Sequence, residues 1–320
     1  MPDLVTKSPI STSLKPVSGA AGLENRLRRS RVRLRRECGA HVVRADAATM
    51  RAEMSGQSGI RVAVAGFGRF ASDVTRGLAG LGGFEIVGIS RRQGDDETIR
   101  VGETLVARYR DVGTMIRACR PDVLLEATLP EFAMAHSLAA LASGVRPVVA
   151  TSGVSDSDLL ELGRVCVDHS LGGVVAPNLS VGAVVLMHLA AIAGRFFEHA
   201  DIIEYHRDRK ADAPSGTAVH TARLMQRERE GSFTRVPSRT VTVPDVRGGE
   251  ASGIGIHSIR LPGLVAHQEV IFGGTGQTLT LRHDAMSNDS YVPGAALAIR
   301  HAMETTGLTV GLGTLLGLER

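Results

Sequence analysis

Short apolar runs alternate with amphipathic stretches between residues 60 and 177. The strands predicted by this alternation cover residues 60–65, 85–89, 123–126, 146–150 and 173–176. The intervening helices are predicted near residues 71–81, 112–119, 132–142 and 156–166. Strands and helices that alternate in this way form a parallel, doubly wound sheet. The pattern therefore predicts a Rossmann-type domain over residues 60–177.

After residue 177 the pattern changes to strands that follow one another closely. An apolar helix over 181–197, a strand over 201–206 and a helix over 217–228 are predicted first. Further strands are expected at 240–243, 255–261, 266–272 and 277–283, before a final helix over 293–305. Successive strands joined by tight turns favour an antiparallel or mixed sheet. The predicted fold class is α/β: an N-terminal Rossmann-type parallel sheet and an α+β domain with a mixed sheet over 178–286.

The first strand leads directly into a glycine turn, Gly66-Phe-Gly68-Arg69-Phe70. Residues without a Cβ allow the backbone to approach a pyrophosphate, and the following helix directs free N–H groups towards it. A strand, a glycine turn, a helix and a second strand within about 30 residues form the βαβ unit of a dinucleotide-binding domain. The turn thus predicts a cofactor site, to which Arg69 adds a side-chain contact.

The end of the second strand indicates which dinucleotide binds. Folds that prefer NAD carry an acidic residue at this point, which binds the ribose hydroxyls. Here the strand ends in Ser90-Arg91-Arg92, and the first acidic residue is Asp95. Two guanidinium groups suit a 2′-phosphate, so NADPH is the predicted cofactor, with NADH as the alternative. The competing interpretation is that both arginines are merely solvated surface residues.

Charge and composition narrow the classes of partner. Residues 1–59 hold 11 Lys and Arg against 5 Asp and Glu, a net +6, so residues 60–320 sum to −2 within the whole-chain +4. A nearly neutral body argues against a nucleic-acid partner, and no apolar run approaches the roughly 18 residues of a membrane span. The three cysteines lack the spacing of a disulfide frame or zinc site. We therefore expect a cytoplasmic protein without a metal.

The basic segment 1–59 is predicted to be a disordered tail. It is rich in Ser and Arg, and seven arginines fall between Arg26 and Arg36. An organelle transit peptide shares this composition. Upstream sequence included through a mistaken start is the other alternative, because Met50 and Met54 precede the first strand.

Lys210 is the only lysine after residue 60, and it lies in the most polar stretch of the chain. A lysine side chain releases a proton when its environment demands it, whereas arginine stays charged. His206 precedes it by four residues, and Ser215-Gly216-Thr217 opens a predicted helix whose free N–H groups suit an anion. The stretch therefore predicts a substrate site in which a proton is delivered to an anionic ligand. A lysine spared by codon bias is the alternative.

The same stretch, Glu204-Tyr-His-Arg-Asp-Arg-Lys-Ala-Asp-Ala-Pro-Ser-Gly-Thr-Ala218, resembles the dihydrodipicolinate reductase signature E-x-H-H-x-x-K-x-D-A-P-S-G-T-A. Glu126-Ala-Thr128-Leu-Pro130 resembles the D-F-T-x-P segment of this family, and Ala150-Thr-Ser-Gly153 resembles its G-T-T-G loop. Ala176-Pro-Asn-Leu-Ser-Val-Gly182 is similar to its A-P-N-F-S-x-G hinge. The resemblance covers residues 60–320.

The resemblance implies reduction of a cyclic imine dicarboxylate by a nicotinamide cofactor. It also implies a homotetramer formed through the sheet of residues 178–286. Residues 287–320 are expected to pack back on the first domain. The implied catalytic pair is His206 and Lys210. The implied substrate-binding residues are Arg207 and the three residues of the helix start, Ser215, Gly216 and Thr217. The implied cofactor-binding residues include the glycine turn and the arginine pair. In full they are Gly66, Gly68, Arg69, Phe70, Arg91, Arg92, Thr128, Ala150, Thr151, Ser152, Ala176, Asn178 and Leu179.

Three positions depart from the family pattern. Arg207 stands where the family has the second histidine, and Asn288 where it has an arginine. The glycine turn ends in Arg-Phe-Ala instead of Arg-Met-Gly. Two alternatives to the family reaction follow: reduction of another cyclic imine carboxylate, or dinucleotide binding by a sensor without turnover.

Overall fold

The structure, a computed structural model, describes residues 59–319. The predicted basic tail lies outside the described residues, apart from Gly59. Within the described part of the chain, no helix is long and apolar enough to cross a membrane.

A parallel-sheet lobe forms the first part of the described chain. Its elements are β1 (Ile60–Ala65), α1 (Arg69–Leu81), β2 (Phe84–Ser90), β3 (Thr98–Val101), β4 (Thr104–Tyr109), α2 (Val112–Cys119), β5 (Val123–Glu126), α3 (Pro130–Ala142), β6 (Arg146–Val149), α4 (Asp156–Asp168) and β7 (Gly172–Val175). Residues Val62 to Ala65 of β1 are completely buried, as expected for a central parallel strand covered on both faces.

A mixed-sheet lobe follows. Its elements are α5 (Val181–Gly194), β8 (His199–His206), α6 (Gly216–Arg227), β9 (Gly249–Ala251), β10 (Ile254–Arg260), β11 (Ala266–Gly274) and β12 (Gln277–Ala285). The sheet order is β12-β11-β8-β10-β9. Strand β10 runs parallel to β8, whereas β11 runs antiparallel to it. The predicted mixed sheet is therefore confirmed.

The chain then returns to the parallel-sheet lobe through a 3₁₀ turn (Asn288–Tyr291), α7 (Val292–Glu304), β13 (Gly307–Val310) and α8 (Leu312–Leu315). Strand β13 pairs with β7, so the large sheet has the order β13-β7-β6-β5-β1-β2-β4-β3. The chain order reverses on either side of β1. Ligands of open parallel sheets bind at the carboxyl ends of the strands at such a point.

Two features of the secondary structure differ from expectation. The strand predicted over 240–243 is wrong: these residues form an irregular segment, and all four are exposed. Their alternation of Thr and Val matches a strand, but no neighbouring strand pairs with them. The β3–β4 hairpin, β9, β13 and α8 were not predicted, because they are short and contain charged or glycine residues.

Candidate active site

Glu204 is the buried centre of the site in the mixed-sheet lobe. It lies two residues before the end of β8, so its side chain shares a face of the strand with that of His206. The Nδ1 atom of His206 lies 2.5 Å from Glu204 Oε2. Because a carboxylate only accepts hydrogen bonds, Nδ1 carries the hydrogen and Nε2 is left to face a ligand.

Arg260 supplies the opposite charge. It ends β10, directly beside His206 in the parallel register. Its Nη1 and Nη2 atoms donate to Glu204 Oε2 and Oε1 at 2.9 and 2.7 Å, a bidentate pairing of the strong kind. Burial raises the pKa of Glu204, but hydrogen bonds from His206, Arg260 and Ser258 outweigh it and hold the pKa at about 2. Glu204 therefore stays ionised.

The start of α6 is joined to the same carboxylate. The backbone N–H of Ser215 donates to Glu204 Oε1 at 3.1 Å, and the buried Ser215 hydroxyl caps the helix by accepting from Ala218 N at 3.2 Å. Apart from its chain neighbours and the backbone of α6, no atom lies within 4 Å of a Cβ placed on Gly216. The free N–H groups of this helix end therefore border open space, as an anion site requires.

Lys210 is held at the edge of this group. Its Nζ lies 2.7 Å from Asp212 Oδ1, and that hydrogen bond is the largest cause that lowers the pKa of Asp212. Arg260 Nη2 donates to the backbone oxygen of Asp212 at 2.7 Å. The turn that carries Lys210 is thus tied to the cluster around Glu204, which brings the predicted proton donors and the helix start together.

In the parallel-sheet lobe, the glycine turn fits a dinucleotide backbone. Gly66 has a φ of +87°, and a Cβ there would lie 2.6 Å from the carbonyl oxygen of Ala127. Gly68 precedes α1, and no atom lies within 4 Å of a Cβ placed on it. Arg69 is exposed and makes no ion pair among the described residues. Phe70 instead packs edge-on against Tyr291, with ring centroids 5.2 Å apart.

The arginine pair after β2 lies on a supported loop. Arg108 donates to the carbonyl oxygens of Arg91 and Arg92 at 3.1 and 3.3 Å. The Arg92 guanidinium lies 4.0 Å from the centre of the Phe132 ring. Neither Arg108 nor Phe132 stood out in the sequence, since both are distant from the pair along the chain.

A second buried carboxylate, Glu126, organises the ends of β5 and β6. It accepts hydrogen bonds from Thr128 N at 2.8 Å and from the Thr128 hydroxyl. His136 Nδ1 lies 2.8 Å away and the Thr151 hydroxyl 3.4 Å away. Two of the predicted cofactor residues therefore meet at one buried group, whose role the sequence did not reveal.

The remaining predicted cofactor residues differ in what they present. Ser152 is exposed and Ala150 half-buried, whereas Ala176 and Leu179 are buried in the core. Asn178 connects the lobes: its Oδ1 accepts from Ser180 N at 2.9 Å and its Nδ2 lies 3.4 Å from Thr217 Oγ1. The structure thus joins the predicted hinge to the predicted anion site.

Arg207 directs its side chain towards the other lobe. Its Nη2 lies 3.4 Å from Asn288 Oδ1, and Asn288 Nδ2 donates to Asp73 Oδ2 on α1 at 2.8 Å. These residues border a cavity of about 510 Å³, whose lining also includes Arg69, Asp208, Arg209 and the loop 262–265. Within the described residues, no group of three or more His, Cys, Asp or Glu side chains could hold a metal ion.

Comparisons with known proteins identify the family to which the chain is similar. The family model "Dihydrodipicolinate reductase, N-terminus" matches residues 60–179, and its C-terminal counterpart matches residues 182–316. The 4-hydroxy-tetrahydrodipicolinate reductase of Moorella thermoacetica is 43% identical over 264 residues, 80% of this chain and 98% of that protein. That of Bacillus licheniformis is 39% identical over 261 residues, with the same coverage.

Solved structures give the same result. A dipicolinate-bound dihydrodipicolinate reductase from Paenisporosarcina sp. TG-14 is 34% identical with a TM-score of 0.72, over 80% of this chain and 99% of that one. An amine dehydrogenase from Mycobacterium smegmatis, 15% identical over 79% of this chain and 95% of that one, has a TM-score of 0.55 and shares the fold alone.

Proposed function

The chain belongs to the dihydrodipicolinate reductase family, and from this premise we propose that it reduces 4-hydroxy-tetrahydrodipicolinate to tetrahydrodipicolinate in lysine and diaminopimelate biosynthesis. The reaction adds a hydride and a proton to the substrate and releases its hydroxyl group as water. One observation carries the proposal for this chain: buried Glu204 connects His206, Arg260 and the start of α6. A proton donor and an anion site are thereby held in one rigid group.

Each residue of this group has a distinct task. The N–H groups of Gly216 and Thr217, with the capping Ser215, bind one substrate carboxylate at the helix end. His206 and Lys210 form the proton-donating pair, and Glu204 holds the His206 ring in one orientation. Hydride addition leaves negative charge on the substrate ring, which a nearby ammonium stabilises and protonates. Asp212 keeps Lys210 in place before the substrate binds.

A nicotinamide dinucleotide fits the parallel-sheet lobe, because Gly68 before α1 leaves open the space that a side chain would fill. Gly66, Gly68 and Arg69 hold its pyrophosphate, while Phe70 supports the turn from below. Thr128, Ala150, Thr151 and Ser152, with Asn178 and the backbone of Ala176 and Leu179 at the hinge, surround the nicotinamide. When bound, the cofactor supplies the hydride.

NADPH is the cofactor we propose, with NADH as a weaker substitute. Arg92 is held against Phe132, and Arg108 fixes the backbone of both arginines. Two guanidiniums on one supported loop suit a 2′-phosphate. Replacement of both Arg91 and Arg92 by serine should weaken NADPH binding by about tenfold or more and leave NADH binding nearly unchanged, as measured by nucleotide fluorescence. Equal losses for both nucleotides would contradict the preference.

The proposed reaction is tested by coupled turnover. Wild-type protein should oxidise NADPH when freshly formed product of dihydrodipicolinate synthase is supplied. Lys210→Ala should lower kcat by about 10²–10⁴-fold, the scale of a lost general acid, and retain NADPH binding. Full activity of Lys210→Arg would show that the residue supplies charge and not the proton.

The departures at Arg207 and Asn288 favour one alternative reaction. If wild type binds NADPH but does not turn over this substrate, other cyclic imine carboxylates should be supplied in the same assay. Turnover of one of them would identify a divergent reductase, and failure with all of them would favour a sensor that binds the dinucleotide.

We also propose a homotetramer assembled through the mixed sheet. Strand β12 is an edge strand, and most of its side chains are exposed. An uncovered edge of this kind invites pairing or coverage by another chain. Light scattering at micromolar concentration should give four chains per particle, and a monomer would contradict the assembly.

A cytoplasmic location is also proposed, to be tested by fractionation of cells that express the full chain.

A further inference from the structure

Three arginines without ion-pair partners converge on the cavity between the lobes. Arg69 comes from the start of α1, whereas Arg207 and Arg209 come from the turn after β8. None of the three makes an ion pair with another described residue. Two carboxylates line the same cavity. Asp73 contacts Asn288 and Arg76, whereas Asp208 is exposed. Three guanidiniums against two carboxylates leave the cavity with a net positive charge beside the glycine turn.

Arg207 lines the same cavity as Arg69, the first residue of α1 after the glycine turn. Its contact with Asn288 continues through Asp73 to α1, the helix that begins at Arg69. Its positive charge also opposes the rise in the pKa of Tyr291 caused by burial, and the Tyr291 ring packs on Phe70. Arg207 thus follows His206 along the chain, but its side chain reaches residues next to the place where the proposed function puts the pyrophosphate of the dinucleotide.

We propose that Arg207 is a cofactor-binding residue, which together with Arg69 binds the pyrophosphate of the dinucleotide from the opposite side of the cleft. This inference rests on the proposed function, in which the glycine turn holds the pyrophosphate. A guanidinium pairs with phosphate oxygens in two parallel hydrogen bonds. The contact links an occupied cofactor site to the turn that carries Lys210, whose N–H donates to the Arg207 carbonyl at 3.1 Å.

The same geometry explains the paired departures from the family pattern. The sequence has Arg at 207 and Asn at 288, where the family has His and Arg. In the structure these two side chains touch. The exchange therefore keeps one guanidinium within this contacting pair, now at position 207 instead of 288.

Binding assays without turnover test this inference. Arg207→Gln should raise the Kd of NADPH and of NADH by the same factor, about tenfold, because both carry the pyrophosphate; tenfold is the scale of one lost charge-assisted contact. The Kd of dipicolinate, measured with saturating NADPH, should change less than about twofold. Arg164→Gln removes an exposed arginine paired with Asp168 on α4 and serves as the matched control.

The reciprocal exchange separates a lost charge from a damaged fold. Arg207→His should weaken both nucleotides, and the added Asn288→Arg should restore affinity to within about threefold of wild type. Unchanged nucleotide affinity in Arg207→Gln, a larger loss for dipicolinate than for NADPH, or no restoration by the double exchange would each overturn the proposal. Failure of wild type to turn over the substrate, with these binding changes intact, would count only against the proposed reaction.

Discussion

Two buried glutamates organise the two halves of the site, and they are built differently. Glu204 in the mixed-sheet lobe meets a bidentate arginine, a histidine and a backbone N–H. Glu126 in the parallel-sheet lobe meets a histidine, two threonine hydroxyls and a backbone N–H. Both side chains are fully buried. Only Glu204 has a permanent cation beside it, so its charge is balanced whatever the state of the histidine.

The difference reflects what each carboxylate must hold. Glu204 fixes His206 and the start of α6; in the proposed function these are a proton donor and an anion site, which require angstrom-scale placement for catalysis. Glu126 fixes the ends of β5 and β6, where the proposed function places the cofactor. Loss of the first should therefore affect the chemical step, and loss of the second should affect cofactor affinity.

The largest expected change in stability follows from Glu204→Gln. It leaves the nearly buried Arg260 guanidinium without its counter-charge, and breaking such a pair costs about 3–5 kcal/mol. Urea unfolding followed by circular dichroism should show this loss. Glu85→Gln, which breaks the exposed pair with Arg61, is the control and should cost less than about 1 kcal/mol. Equal losses for the two variants would mean that the buried cluster contributes no special stability.

Acid should remove the contribution of Glu204 selectively. Its folded-state pKa of about 2 lies below the ordinary value of 4.5. A lowered pKa gives stability that is fully present above the unfolded-state value and is lost as pH falls through the folded-state value. The difference in unfolding free energy between wild type and Glu204→Gln should thus shrink between about pH 4.5 and pH 2. A constant difference across that range would show that the carboxylate is not the titrating group.

Glu126→Gln should have a smaller effect, because no arginine is left unpaired. The amide still accepts a hydrogen bond, but it cannot satisfy all the donors that converge there, at a cost of about 1–3 kcal/mol. The same unfolding measurement checks this value. A loss as large as that of Glu204→Gln would remove the distinction between the two halves.

Replacement of His136 by phenylalanine should give the smallest change. The ring stays beside Phe132, with which His136 stacks at 6.1 Å, but one of the partners of Glu126 is lost. We expect a rise in the KM for NADPH of about threefold or less, with kcat nearly unchanged. A large fall in kcat would place His136 in the chemistry and not in loop support.

The sequence predicts those parts of the proposed site that are contiguous along the chain. His206, Lys210 and the helix start lie within one 15-residue signature, and the parallel sheet follows from its regular alternation of strands and helices. Arg260 was missed because it reaches Glu204 across 56 positions, a pairing that only the register of β8 and β10 defines. The strand prediction for residues 240–243 was wrong for the opposite reason. The sequence there has a strand-like pattern, but the segment has no partner strand with which to pair.

Steady-state kinetics of Glu204→Gln and Glu126→Gln, measured side by side with NADPH titrations, test the central distinction most directly. We predict that Glu204→Gln lowers kcat by about 100-fold or more with the Kd of NADPH unchanged. Glu126→Gln should raise that Kd by several-fold while kcat at saturation stays within about threefold of wild type. The reverse assignment, or the same mixture of effects in both variants, would contradict the account.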